Sequence, residues 1–235
     1  FNFPDNPLLF RGAFNKPSRA VDYRIYLPAL MRDFAERGGD IEYVDIQEDA
    51  AGALIDSLAD APHRPLFIRC DLVDIEALRA AIARVKSELG PIGTLINNAA
   101  RDDRHDIDSV TPEYWDNAQA VNLRHQFFAA QSVRAHMRER GGGSIVNFSS
   151  VAWMAGGGPM VAYTTAKAAV VGMTNSLARE FGADNIRVNA IAPGAVVTER
   201  QLRLWYTEEQ ADEMAGRQAI KKRLLPEEIA RAALF

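Results

Sequence analysis

The chain has 235 residues, 48% of them hydrophobic and 25% charged, with a formal net charge of −4. This balance suits one sizeable globular domain that buries its own core, and it gives no electrostatic reason to expect nucleic acid or an anionic membrane as partner. The single cysteine, Cys70, excludes an intrachain disulfide and fits a reducing, cytoplasmic setting. No apolar run approaches the roughly 20 residues that cross a bilayer, and no signal peptide is visible. The chain opens at Phe1 rather than Met and closes at Phe235 inside a helix-like segment, so it is expected to continue at both ends.

In chain order, Leu27, Leu30, Met31 and Phe34 recur at helical spacing, and Gly38-Gly39 ends that helix. Ile41 to Ile46 reads as a strand, Glu48 to Ala59 as a helix, Pro65 to Cys70 as a strand and Asp74 to Leu89 as a helix closed by Gly90-Pro91. Thr94 to Asn97 is a strand end. Thr111 caps a long helix with Pro112 in its first position, a favoured arrangement. A glycine turn, Gly141 to Gly143, precedes the strand Ser144 to Phe148. Met160 to Phe181 is a helix, Ile186 to Ile191 a strand and Pro226 to Phe235 a helix. Such alternation predicts an α/β fold: a single-domain, Rossmann-type, doubly wound parallel sheet with helices on both faces, spanning residues 1–235.

Tyr163 and Lys167 stand four apart on the predicted helix, on one face and one turn apart. A free tyrosine, with a pKa of about 10, is a poor base at neutral pH, and a nearby ammonium favours its phenolate. The pair can then exchange a proton with an alcohol or carbonyl. An isolated Tyr-x-x-x-Lys is usually only an exposed helix face. Here Ser150 stands at the end of the strand that precedes this helix, where active sites of doubly wound sheets form. Asn122 lies inside the helix that starts at Pro112, a position asparagine does not favour; its plain reading is a solvent-facing or locally bonded residue. His63, His105, His125 and His136 show no zinc-ligand spacing, so no metal is expected.

Five ordered stretches carry a resemblance. They are Ile96-Asn97-Asn98-Ala99-Ala100, Val121-Asn122-Leu123, Gly143 to Ser150, Tyr163 to Lys167 and Arg187 to Gly194. In order and spacing they resemble the short-chain dehydrogenase/reductase superfamily, from about Gly38 to the end of the chain. The resemblance implies an oxidoreductase with Tyr163 as general acid/base and Lys167 lowering its pKa and holding the nicotinamide ribose. It implies that Ser150 orients the substrate oxygen and that the Asn122 carbonyl anchors a water in the proton relay. Asp71, with Leu72 beside it, would meet the adenine, and Asn98 the adenosine ribose side. Pro193-Gly194 and Thr198 would bind the nicotinamide carboxamide end. Asp45 ends the second strand where that ribose should lie; a carboxylate there accepts from both ribose hydroxyls and repels a 2′-phosphate, so NAD is expected over NADP.

One segment departs from the pattern. A dinucleotide fold needs glycines between its first strand and first helix, and counting back from Asp45 puts them near 18–25, where there are none. Residues 10–26 do not resemble the family, and its last strand is expected after Phe235. Three readings stay open: a segment altered from the natural chain, a rebuilt segment in a weakened or silent protein, or another phosphate-binding loop with Arg19 or Arg24 supplying charge. The first is preferred, because the rest of the constellation is intact. Ala100 in place of the family's glycine is a minor change.

The stretches Asp102 to His105, Tyr114-Trp115-Asp116 and Val121 to His125 resemble the branch that oxidises aldoses at C1. His105, Trp153 and Gln201 join Ser150 and Tyr163 as expected substrate contacts, with Thr198 to about Lys222 as a lid. The partner is then a small molecule, a sugar, with a homodimer or homotetramer implied by the family. A polyol dehydrogenase, an acyl-thioester ketoreductase and a silent binding protein are the alternatives.

Overall fold

The computed structural model describes residues 10–13, 31, 40–45, 48–60, 64–198, 202 and 207–234. Six strands are present among them: β1 (Phe10–Ala13), β2 (Ile41–Asp45), β3 (Leu66–Arg69), β4 (Thr94–Asn97), β5 (Gly143–Phe148) and β6 (Ile186–Ile191). β1 pairs with β2 and β2 with β3; β4 pairs with β5 and β5 with β6; every pairing is parallel. β1 stands beside β4, so the strands run side by side as β3-β2-β1-β4-β5-β6. In such an order the chain reverses direction across the sheet between β1 and β4, and ligands bind in the crevice beyond the carboxyl ends there.

Seven α-helices are present among the described residues: α1 (Glu48–Asp56), α2 (Ile75–Leu89), α3 (Pro112–Gln119), α4 (His125–Glu139) and α5 (Val161–Phe181) between strands, and α6 (Glu208–Arg217) and α7 (Pro226–Leu234) after β6. Their starts follow local chemistry. Asp74 accepts from the Ala77 amide at the head of α2, and Thr111 accepts from the Tyr114 amide at the head of α3, with Pro112 behind it. Thr207 and Gln210 form a reciprocal capping box on α6. Before β5 the chain passes through Gly142 at φ 151°, where a Cβ would stand 2.6 Å from the Asn185 carbonyl oxygen, so this turn accepts no side chain.

The sheet is covered on both faces. Successive residues of a strand point to opposite faces, and Leu95 and Ile145 join one core with α2, α4 and α5. Their neighbours Ile96 and Val146 join another with Met31, α1 and α7. The chain is therefore an α/β protein with a doubly wound parallel sheet. Of the helix read over Leu27 to Phe34, Met31 alone is described; it is helical and fully buried.

Two expectations change. Residues 112–139 are not one helix: a wide turn, Ala120–Arg124, separates α3 from α4 and carries Asn122. The atypical N-terminal segment supplies β1, and the chain leaves that strand at Ala13, ahead of the 18–25 window. The window itself, with Arg19 and Arg24, lies outside the described residues.

Candidate active site

The site grows from the carboxyl ends of β4 and β5. Beyond β5 the Ser149 amide donates to the Ile191 carbonyl (2.8 Å) and the Val151 amide to the Pro193 carbonyl (3.1 Å), tying this loop to the end of β6. Two hydrogen bonds tie it to α5: Ser149 Oγ donates to the Lys167 carbonyl (2.7 Å), and Lys167 Nζ donates to the Phe148 carbonyl (2.7 Å). Lys167 is 1% exposed, among the most buried side chains of the described chain. Burial pushes its ammonium down to about 7, while the Asp102 carboxylate pulls the other way. Tyr163 sits half-buried one turn earlier, with Lys167 Nζ 5.8 Å from its ring centre. Ser150 Oγ accepts from the Ala152 amide at 3.2 Å, and among the described residues its own O–H has no acceptor. The helix α5 sets Tyr163 beside Lys167, and the bonds of Ser149 and Phe148 to Lys167 dock the β5 loop, which carries Ser150, against that helix.

Asn122 is buried rather than solvent-facing. Its Oδ1 accepts from the Arg101 amide (2.8 Å), and its Nδ2 donates to the carbonyls of Arg101 (3.1 Å) and Ala118 (2.9 Å). It therefore clamps the loop after β4 to the wide turn. Its carbonyl accepts from Gln126 Nε2 at 3.3 Å, so a water there would share it with an amide. His125 is fully buried beside Lys167, and burial and that ammonium push its imidazole down to about 3. Asn97 Nδ2 donates to Asn147 Oδ1 (2.9 Å), and Asn147 Nδ2 to Thr174 Oγ1 (3.0 Å), a polar strut through the sheet beneath the site. Sequence reading missed Ser149, His125 and Gln126; the spacing of Asn122, His125 and Gln126, three and four apart on a helical path, was the available signal.

The residues expected to meet a nicotinamide dinucleotide gather at the crevice between β1 and β4. Asp45 closes β2 and is 3% exposed. Asn98 follows β4, buried, with Nδ2 unpartnered. A buried amide left open at the switch point suits a ligand with ribose and phosphate oxygens. Asp71 Oδ1 accepts from the Val73 amide (3.1 Å), a local turn beyond β3. Leu72 differs from expectation: it is fully buried in the core with α2, so its side chain packs and only its backbone is left to face adenine. Pro193 is held by Val151, and Thr198 is buried, its carbonyl accepting from the Leu202 amide (3.0 Å).

On the substrate side, Arg101 and Asp103 form an ion pair at 2.8 Å, so the charged loop after β4 is folded on itself and not simply solvated. The Tyr114 hydroxyl hydrogen-bonds His105 Nδ1 at 3.0 Å. Trp153 lies in the short turn Val151–Trp153, half-buried, with Nε1 enclosed and unpartnered. Gln201 lies outside the described residues.

A doubly wound parallel sheet of this order is the fold in which dinucleotides bind beyond the carboxyl ends of the strands. A family model described as enoyl-(acyl carrier protein) reductase matches residues 29–235, and the chain belongs to the short-chain dehydrogenase/reductase family. It is 48% identical over 211 residues to the Rhizobium meliloti protein named "Probable galactose dehydrogenase GalD", covering 88% of this chain and 81% of that one. It is 43% identical over 206 residues to a D-xylose 1-dehydrogenase of Caulobacter vibrioides, again covering 88% and 81%. Among solved structures, levodione reductase superposes with a TM-score of 0.84 at 27% identity, covering 100% of this chain and 91% of that one. Family dehydrogenases use a nicotinamide cofactor. No helix among the described residues is long and apolar enough to cross a membrane.

Proposed function

We propose that the chain oxidises an aldose at C1 with NAD. The carrying observation is Tyr163 beside a lysine, Lys167, that is buried and locked to the β5 loop on which Ser150 stands. The sugar specificity is supported by the likeness to the galactose and xylose dehydrogenases.

Ser150 donates to the C1 oxygen and holds it toward Tyr163. Tyr163, as phenolate, takes the hydroxyl proton, and its negative charge favours the Lys167 ammonium that burial alone disfavours, so the two charges support each other in a low-dielectric setting. A bound nicotinamide would supply the hydride acceptor for C1, and an aldopyranose would then leave as its lactone. Asn122 keeps the loop bearing Asp102 and His105 in place. Asp45 accepts from the adenosine ribose hydroxyls, and a 2′-phosphate would meet its charge. The reading includes a cytoplasmic homodimer or homotetramer, checked by sedimentation of the purified protein.

The test is a panel of aldoses, polyols and β-ketoacyl thioesters with NAD(H) and NADP(H). Turnover should be highest with an aldose and NAD. A clear preference for the thioesters refutes the substrate class, and absence of NADH binding in a fluorescence titration favours a silent binding protein.

A further inference from the structure

The His105 ring is held at more points than a loop residue needs. Its backbone amide donates to the Pro159 carbonyl at 3.0 Å, joining the loop after β4 to the loop before α5. Its Nδ1 lies 3.0 Å from the Tyr114 hydroxyl and 3.3 Å from the Asp103 carbonyl. The Tyr114 ring meets the imidazole edge-on, centres 5.2 Å apart and planes at 61°. Tyr114 is itself anchored, because its amide donates to Thr111 Oγ1 at 3.2 Å in the first turn of α3. One ring nitrogen is therefore committed whichever tautomer is present. The other, Nε2, has no partner among the described residues and is covered in this fold, so a ligand group reaches it by displacing that cover. His105 also stands in the wall of a cavity of about 620 Å³, with Arg104, Asp106, Ile107, Pro159 and Val161.

An enclosed imidazole nitrogen without a partner costs free energy that a ligand group would recover. A sugar hydroxyl suits it, since it donates or accepts and so meets either tautomer. Holding the ring beforehand removes the ordering cost at the moment of binding. We propose that Tyr114 is a positioning residue for substrate, fixing His105 so that its free nitrogen reads one hydroxyl of the aldose away from C1. This rests on the aldose reading above, in which Ser150 and Tyr163 hold the C1 oxygen.

The experiment compares wild type, Tyr114→Phe, His105→Ala and the double variant on an active aldose and its monodeoxy analogues, at saturating NAD. Tyr114→Phe should raise KM about tenfold, the scale of one lost neutral hydrogen bond. It should change kcat less than about twofold and leave the Kd for NADH unaltered, since uniform binding alone is lost. The double variant should be no worse than His105→Ala, because the two side chains act as one unit. On one deoxy sugar the difference between wild type and Tyr114→Phe should vanish. An active wild type with an unchanged KM in Tyr114→Phe, additive effects, or equal losses on every deoxy sugar overturns the inference alone. A wild type with no turnover of any aldose overturns the functional reading and this inference with it.

Discussion

Replacing Lys167 by methionine should flatten the pH dependence of stability between pH 7 and 9. Burial holds this lysine at about 7 in the folded chain, whereas an unfolded lysine titrates near 10.4. Between those values the unfolded chain carries a proton that the folded chain lacks, so the free energy of unfolding rises with pH. A folded pKa below the unfolded one gives a contribution complete above the unfolded value and lost as pH falls through about 7. One proton is worth about 1.4 kcal/mol per pH unit, so the rise from pH 7 to 9 should reach roughly 2 kcal/mol. Two other shifted groups leave that window clear. Cys70, raised by burial from 9.0 to about 11, takes stability away only above its ordinary value. His125, lowered from 6.5 to about 3, acts below pH 6.5. Methionine also deprives the Phe148 carbonyl of its 2.7 Å donor, which lowers the whole curve without tilting it. Urea unfolding at half-unit pH steps, on both proteins, reads the two slopes. Parallel curves would show that Lys167 stays charged in the fold, and the reasoning would fail.

Tyr163→Phe should cut turnover at least about a hundredfold, the scale of a lost general acid/base, with an unchanged melting temperature; near-native kinetics would remove Tyr163 from the chemistry. Asp45→Ala should shrink the preference for NAD over NADP, read as the ratio of kcat/KM values, and an unchanged ratio would mean that Asp45 does not sense the ribose. Asn122→Ala removes three buried hydrogen bonds and should cost about 3 kcal/mol in denaturant unfolding. Asn122→Asp should recover only the bond from the Arg101 amide, so equal stability of Asn122→Asp and wild type would contradict the assignment.

What was legible in the sequence was local. Asp74 with Gly90, and Thr111 with Pro112, mark helix ends by side-chain and backbone chemistry within a few residues, and the helices begin and end accordingly. The strands β4, β5 and β6 and the helix α5 stood out as periodic runs between glycine turns. What was hidden depends on contacts distant in the chain. Ser149 looks like loop punctuation until its hydroxyl meets a carbonyl 18 residues on. The resemblance puts Leu72 beside the adenine, and what the sequence did not reveal is that its side chain packs in the core with α2, leaving its backbone for such a contact. The wide turn after α3 is invisible to periodicity, since it is set by an asparagine amide reaching back to Arg101. The glycine window near 18–25 rests on counting back from Asp45 at a fixed spacing; β1 ends at Ala13, and the window itself lies outside the described residues.

The wide turn Ala120–Arg124 also sets the rotational phase of everything that follows it. Each residue added to or taken from an α-helix rotates the downstream part by about 100°. α4 presents Ala129, Ala130, Val133 and Met137 to the sheet, and the wide turn is where one extra residue is absorbed without disturbing that presentation. Deleting a single residue within the turn would let the backbone ladder close as ordinary α-helix with α4 still in phase, at the cost of the Asn122 clamp on the loop after β4. This short stretch therefore takes up one residue between two helices, and a deletion within α4 ahead of Ala129, which turns the following residues by about 100°, should be worse tolerated than a deletion in the turn itself.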